Sequence, residues 1–387
     1  MWYFNSPLIV FGEDALFELT SIEGKRAFIV TDANILALGL VDRVGERLQT
    51  AGLEYRVFAD VEPDPSLQTV RRGAEQMRQY EPDWVIGLGG GSSMDAAKAM
   101  WVLYEHPEMV PEEINPVVPM RMRDKARLIT IPTTSGTGAE TTWAIVLTDK
   151  TDERKLALGS RDNMADMAIV DPILVAGLPA QITADTGMDA LTHAVEGYTS
   201  TWHNDFCDGL CLMAIKLVFE YLPRAVENAQ DAAAREKMHN AASIAGLGFG
   251  NSMAALAHAM GHSLGAVFHT PHGRAVGLFL PFTVEFVGEA MATRYADITR
   301  FLGISGSSPQ DPAKLLAQHI RDLARSVQQP LSLQEAGIYE KQFEAGLPKL
   351  IENAESDTTL ILSARMPDSE ELQHLFRYAF AGKPVDF

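Results

Sequence analysis

The hydrophobic pattern changes period about halfway along the chain. Up to about residue 180, short apolar runs rich in β-branched residues alternate with stretches of helical spacing. Residues 27–30, 55–58, 84–88 and 128–131 read as strands, and 41–50, 66–80 and a segment through Val102 read as helices. The strand runs are almost continuously apolar, the pattern of a parallel sheet covered on both faces. From about Ala180 the β-branched runs stop, and Ala, Leu and Met recur at helical spacing through 205–228, 231–249, 252–267, 288–302 and 310–326. The expected architecture is an α/β domain with a parallel sheet over 1–178, followed by an all-α helical domain over 179–387. Asp171-Pro172 and Leu178-Pro179 punctuate the boundary.

Composition narrows the class without naming a chemistry. A chain of 387 residues with 47 % hydrophobic and 21 % charged residues can bury two cores of ordinary size. Its net charge of −19 argues against nucleic acid or an anionic membrane as partner. The opening MWYFNSPLIVFGEDAL is apolar but has no basic segment, so it reads as a strand and not as a signal peptide or membrane span. Cys207 and Cys211, four apart in an apolar helix, are buried thiols in this reading, and a cytoplasmic location is expected.

The second half carries a spaced set of ligand-type residues. Asp189 and His193 lie four apart, and Glu196 follows on the same helix face. His258 and His262 repeat the spacing of four on a second apolar helix, and His272 stands between Pro271 and Gly273 in an expected turn. One carboxylate and three imidazoles, Asp189, His193, His258 and His272, form a first shell suited to Fe²⁺ or Zn²⁺. A histidine pair alone would more often be a satisfied core pair. Two such helices and a His-Gly turn favour a metal.

Two loops in the first half suit a nucleotide. Gly89, Gly90, Gly91 and Ser92 follow one strand and open a helix, where bare backbone and the helix N-terminus favour a pyrophosphate. Ser92 and Asp95 also fit a capping box. Thr133, Thr134 and Thr137, in PTTSGTGAE, follow another strand with small hydroxyl side chains. Asp32, at the end of the first helix-flanked strand, is placed to accept from an adenosine ribose and to repel a 2′-phosphate; its plain alternative is a strand-end turn.

VTD at 30–32, GLGGGSSMDAAKAM at 87–100, PTTSGTGAE at 132–140, MDALTHAVEGY at 188–198, AHAMGHSLGA at 257–266 and HTPHGRA at 269–275 occur in this order. Together they closely resemble the iron-dependent, group III alcohol dehydrogenases, and MDAAKAMWVLYEHPE at 94–108 resembles the dehydrogenase half of bifunctional aldehyde/alcohol dehydrogenases. The resemblance implies a Rossmann-like N-terminal domain, a helical C-terminal domain, and Asp189, His193, His258 and His272 as ligands. It implies dinucleotide contacts from Gly89 to Ser92, Thr133, Thr134 and Thr137, with Thr142 and Lys155 toward the nicotinamide. It makes His262 a candidate in proton transfer. Trp143, Phe249 and Arg274 are read as substrate-side residues, and Trp143 and Arg274 depart from the family's usual small residues.

The expected function is a metal-dependent, NAD(H)-linked alcohol dehydrogenase or aldehyde reductase for a small primary alcohol, with Fe²⁺ and possible Zn²⁺ substitution, working as a homodimer or higher homo-oligomer. An alternative substrate is a small carboxylate- or sulfonate-bearing aldehyde held by Arg274. A lyase resembling dehydroquinate synthase would need several pocket Lys and Arg residues, and only Arg274 and Lys155 lie near the motifs. A non-catalytic metal or nucleotide sensor is disfavoured by the intact ligand set.

Overall fold

Strand β1 (Leu8–Phe11) is followed by β2 (Arg26–Val30), β3 (Glu54–Phe58), β4 (Trp84–Gly89) and β5 (Arg127–Pro132). Strands β6 (Ala144–Asp149) and β7 (Arg154–Gly159) pair separately as an antiparallel ribbon, and β8 (Met167–Val170) returns to the main sheet. The computed structural model describes residues 3–151, 154–304 and 311–387, with Arg154 described by its backbone alone. Met1, Trp2 and Gln310, at the ends of expected elements, lie outside the described residues. The chain divides into two compact units, Met1–Ala176 and Gly177–Phe387.

In the first unit every main-sheet pair is parallel, in the order β1-β8-β5-β4-β2-β3. The helices between strands are α1 (Ala33–Ala37), α2 (Leu40–Thr50), α3 (Leu67–Tyr80) and α4 (Gly91–Glu105). Alternate strand residues go to opposite cores: Phe28, Val30, Val85 and Leu128 to one, Ala27, Ile29, Ile86 and Ile129 to the other. Both faces are therefore apolar, which is why the strands show no polar alternation. The chain goes from β2 outward to β3, then crosses back to β4 on the other side of β2. That reversal is a topological switch point, and ligands bind at the carboxyl ends of strands beside such points. Asp32 and Gly89 flank it.

The second unit is built from α5 (Ala180–Thr199), α6 (Asp205–Glu227), α7 (Ala232–Phe249), α8 (Leu256–Phe268), α9 (His272–Val287), α10 (Ala292–Phe301), α11 (Pro312–Ser326), α12 (Glu340–Ser356) and α13 (Ser369–Ala381). Helix α5 is buried along almost its whole length, so each Leu or Val it hides contributes about 1.5–3 kcal/mol. Helix α9 corrects the expected turn at His272. It is buried along almost its whole length and contains Pro281, so it shows no amphipathic stripe from which a helix could be read. Among the described residues no helix is long and apolar enough to cross a membrane.

Candidate functional site

Three helices of the second unit bring four ligand-type side chains together. Helix α5 presents Asp189 and His193 one turn apart, α8 presents His258, and His272 opens α9. One donor atom of each lies within 4.8 Å of the others. His272 Nε2, His193 Nδ1 and His258 Nε2 stand 3.4, 3.7 and 4.0 Å from Asp189 Oδ1. These separations are long for hydrogen bonds. They are close to the spacing of donors that share an ion at about 2.0–2.2 Å each. Asp189 Oδ1 and His258 Nε2 are buried and make no hydrogen bond, at a cost of about 1–3 kcal/mol apiece if nothing else meets them. Gly273 allows the close approach of α9 to α5, because a Cβ there would stand 2.3 Å from the Asp185 carbonyl oxygen.

Charge in this cluster is arranged by neighbours. Burial opposes ionisation of Asp189, but His193, His272 and His258 hold its carboxyl well below the usual range. Burial also opposes a charged His258, and the Glu196 carboxylate outweighs it and raises the imidazole. Glu196 Oε2 lies 2.5 Å from His258 Nδ1. His262 has a similar partner, with Nδ1 2.7 Å from Asp357 Oδ2. Burial lowers its basicity despite that carboxylate. A neutral His262 donating Nδ1–H to Asp357 presents Nε2 as an acceptor. Its ring stacks on His272 with centroids 5.3 Å apart.

The substrate-side candidates separate. Phe249 lies flat on His193, with centroids 3.9 Å apart and planes 9° off parallel. Arg274 is held by Asp185 in a two-point pair, 3.0 Å at each nitrogen. That pairs its guanidinium with a neighbouring acid, the plainer of its two readings. Trp143 belongs to the first unit beside the β6–β7 ribbon, where its carbonyl accepts from Asn163 Nδ2 at 2.8 Å.

The two nucleotide-type loops of the first unit adjoin. The Thr133 N–H donates to Gly89 O at 3.0 Å. A Cβ at Gly91 would stand 3.0 Å from Thr137 Cγ2, and one at Gly90 3.6 Å from Thr134 Oγ1. Gly89 has φ of +149°, and a Cβ there would lie 2.5 Å from Ser93 Oγ, so only glycine fits. Asp32 divides its carboxylate. Oδ1 caps α1 by accepting from the Asn34 and Ile35 N–H groups, and Oδ2 lies 3.4 Å from Ser93 Oγ.

The expected Ser92–Asp95 capping box does not form. Helix α4 begins at Gly91 with Gly90 as its cap and no side-chain cap, so both residues lie inside the helix. Asp95 Oδ2 accepts instead from the Val146 N–H, 3.0 Å away on β6. Lys98, fully buried, donates to Ala144 O at 2.9 Å and lies 3.4 Å from Asp95 Oδ1 and 3.5 Å from Thr142 Oγ1. This pair pins α4 to β6 and fixes Thr142 within the unit. Lys155 on β7 pairs with Asp64 at 2.8 Å. Neither Arg274 nor Lys155 is thus a spare cation for a polyanionic substrate.

Sequence reasoning assigned no role to Glu196, Asp357 or Lys98. Glu196 had a signal in its place on the same helix face as Asp189 and His193. Asp357 had none, since it lies 95 residues from His262.

Comparison with known proteins agrees across both units. A family model described as iron-containing alcohol dehydrogenase matches residues 6–172, and one for the C-terminal part of the Fe-containing alcohol dehydrogenase family matches 183–380. The chain is 39 % identical over 381 residues to the NADPH-dependent butanol dehydrogenase of Clostridium saccharobutylicum, covering 98 % of each. It is 40 % identical over 383 residues to the aldehyde-alcohol dehydrogenase of Streptococcus pneumoniae, covering 92 % of this chain but only 43 % of that longer protein. The solved alcohol dehydrogenase from Oenococcus oeni superposes with a TM-score of 0.92 at 30 % identity, over 98 % of this chain and 100 % of that one. The chain belongs to the iron-containing alcohol dehydrogenase family and is an oxidoreductase of that type.

Proposed function

We propose an NAD(H)-linked alcohol dehydrogenase or aldehyde reductase for a small primary alcohol, with Asp189, His193, His258 and His272 holding Fe²⁺ or, by affinity, Zn²⁺. The observation that carries this is the buried Asp189 Oδ1 facing three imidazoles, with His258 Nε2 also lacking a hydrogen bond. One carboxylate and three imidazoles fit a divalent transition ion by their chemistry. When bound, the ion polarises the substrate oxygen and the nicotinamide supplies or accepts the hydride.

The chain's own residues do the rest. His262 gives or takes the proton at Nε2, because Asp357 holds Nδ1. Phe249 covers one face of His193 with an apolar ring, which favours a short alkyl chain over a charged one. Gly89, Gly90, Gly91, Ser92, Thr133, Thr134 and Thr137 cradle the dinucleotide phosphates, and the uncapped first turn of α4 offers them its N–H groups. Asp32 Oδ2 accepts from a ribose hydroxyl and repels a 2′-phosphate. One relative is NADPH-dependent by name; in this chain the Asp32 carboxylate supports the opposite preference.

We also expect a homodimer or higher homo-oligomer in the cytoplasm. Leu8 and Phe11, 60 % and 66 % exposed on the edge strand β1, support a covered edge, and two buried free thiols suit a reducing compartment. The test is consumption of NADH and of NADPH with butyraldehyde by Fe²⁺-loaded protein under anaerobic conditions. Faster turnover with NADH is expected. Preference for NADPH would remove the coenzyme role from Asp32, and absence of turnover with any short aldehyde would overturn the substrate class.

A further inference from the structure

We infer that Glu196 is a positioning residue that sets the tautomer of His258, so that Nε2 and not Nδ1 carries the free lone pair facing Asp189. The inference rests on the metal reading above. Glu196 is 4 % exposed and reaches from α5 to the start of α8. Its Oε1 accepts from the Ala257 N–H at 2.5 Å, and its Oε2 accepts from the Ala255 N–H at 2.9 Å. Helix α8 has no side-chain cap of its own at Ala255, so a carboxylate from another helix meets its free N–H groups. The same Oε2 lies 2.5 Å from His258 Nδ1.

An ionised carboxylate only accepts, so His258 carries a proton on Nδ1. In the neutral ring Nε2 then points a lone pair toward the cluster, 4.0 Å from Asp189 Oδ1. The α5 helix that supplies Asp189 and His193 therefore also orients the ligand-type histidine of α8. Behind Glu196 lies a cavity of about 20 Å³, lined in part by Thr199, Tyr295 and Ser363. It has room for one water and none for a substrate. Glu196 acts through His258 or not at all.

Helix capping and tautomer control are separable. Glu196→Gln places an N–H₂ where one oxygen stood, so it leaves an α8 N–H unmet in either orientation and, with the nitrogen in the place of Oε2, donates to Nδ1 and moves the imidazole proton to Nε2. Metal-free parent, Glu196→Gln, His258→Ala and the double variant would be titrated with Zn²⁺ against a chelating dye, with thermal midpoints recorded without metal. Glu196→Gln should weaken Zn²⁺ by about 10–100-fold, the usual effect of removing such a partner. The double variant should match His258→Ala within about twofold, because the effect runs through that ring.

A lowered midpoint with parental Zn²⁺ affinity would make Glu196 a helix cap only and overturn the inference. So would a double variant weaker than His258→Ala by the full Glu196→Gln factor. If His258→Ala binds Zn²⁺ like the parent, the metal reading itself fails and the inference falls with it. Should Glu196→Gln not fold, Glu196→Asp keeps the acceptor but withdraws it by one methylene. It should show a smaller loss with the same dependence on His258, and full additivity there would equally overturn the idea.

Discussion

In the first unit, Gly89 and Gly91 meet Ser93 and Thr137 at distances that leave little or no room for a Cβ, and Gly90 faces Thr134 at ordinary contact distance. In the second, four ionisable side chains converge and the backbone contributes almost nothing but their placement. The first region is built by subtraction: bare backbone lies at the ends of neighbouring parallel strands, so short stretches of chain suffice. The second is built by addition. Each buried polar ring needs a partner from elsewhere, Glu196 for His258 and Asp357 for His262. A charged side chain held out of water is costly unless its neighbours are in place. The two regions should therefore fail in different ways.

The largest effect tests whether they fail independently. His272→Ala, or removal of metal with a strong chelator, should lower butyraldehyde reduction by at least about 10³-fold, several kcal/mol of lost polarisation. NADH affinity, followed by nucleotide fluorescence, should stay within about twofold of the parent. Loss of NADH binding alongside metal would show that the regions are not separate. Next comes Asp357→Asn, which keeps an acceptor for His262 but removes its charge. A fall of about 10²-fold in kcat with unchanged bound metal is expected. A kcat within twofold of the parent would take His262 out of the proton path.

Gly89→Ala attacks the other region. With φ of +149° and Ser93 Oγ in the way, the strain of about 1–3 kcal/mol should raise KM for NADH about tenfold. Metal content, measured by elemental analysis, should not change. Asp32→Gly should narrow the preference for NADH over NADPH by about tenfold. Because Asp32 also caps α1 and Gly is itself a tolerated cap, its replacement should lower stability by only about 0.3 kcal/mol in a denaturant titration. An unchanged coenzyme ratio with that stability loss would make Asp32 a cap alone.

Arg274→Ala should be the mildest. Breaking its partly exposed pair with Asp185 should cost about 1 kcal/mol or less. The ratio of kcat/KM for butyraldehyde to that for a carboxylated aldehyde of similar length should not move. A selective loss for the anionic aldehyde would return Arg274 to the substrate.

By itself, the sequence determined whatever is written in short periods. Apolar runs marked the parallel sheet, Ala- and Leu-rich spacing marked the helical half, and a spacing of four put Asp189 and His193 on one face of α5. Glycines at 89 to 91 and threonines at 133 to 137 were visible as loops for the same reason, since strand, loop and helix follow one another directly. Tertiary structure alone decided what depends on distant partners. Helix α9 is hidden in the sequence because burial on all sides erases the polar stripe that would reveal it. The start of α4 moved to Gly91, which freed Asp95 for β6 and Lys98. Arg274 and Lys155 were spoken for by Asp185 and Asp64. Asp357 met His262 across 95 residues. Local spacing sets which side chains share a surface, but a buried charge is settled by whichever opposite charge or donor the packed chain brings within reach.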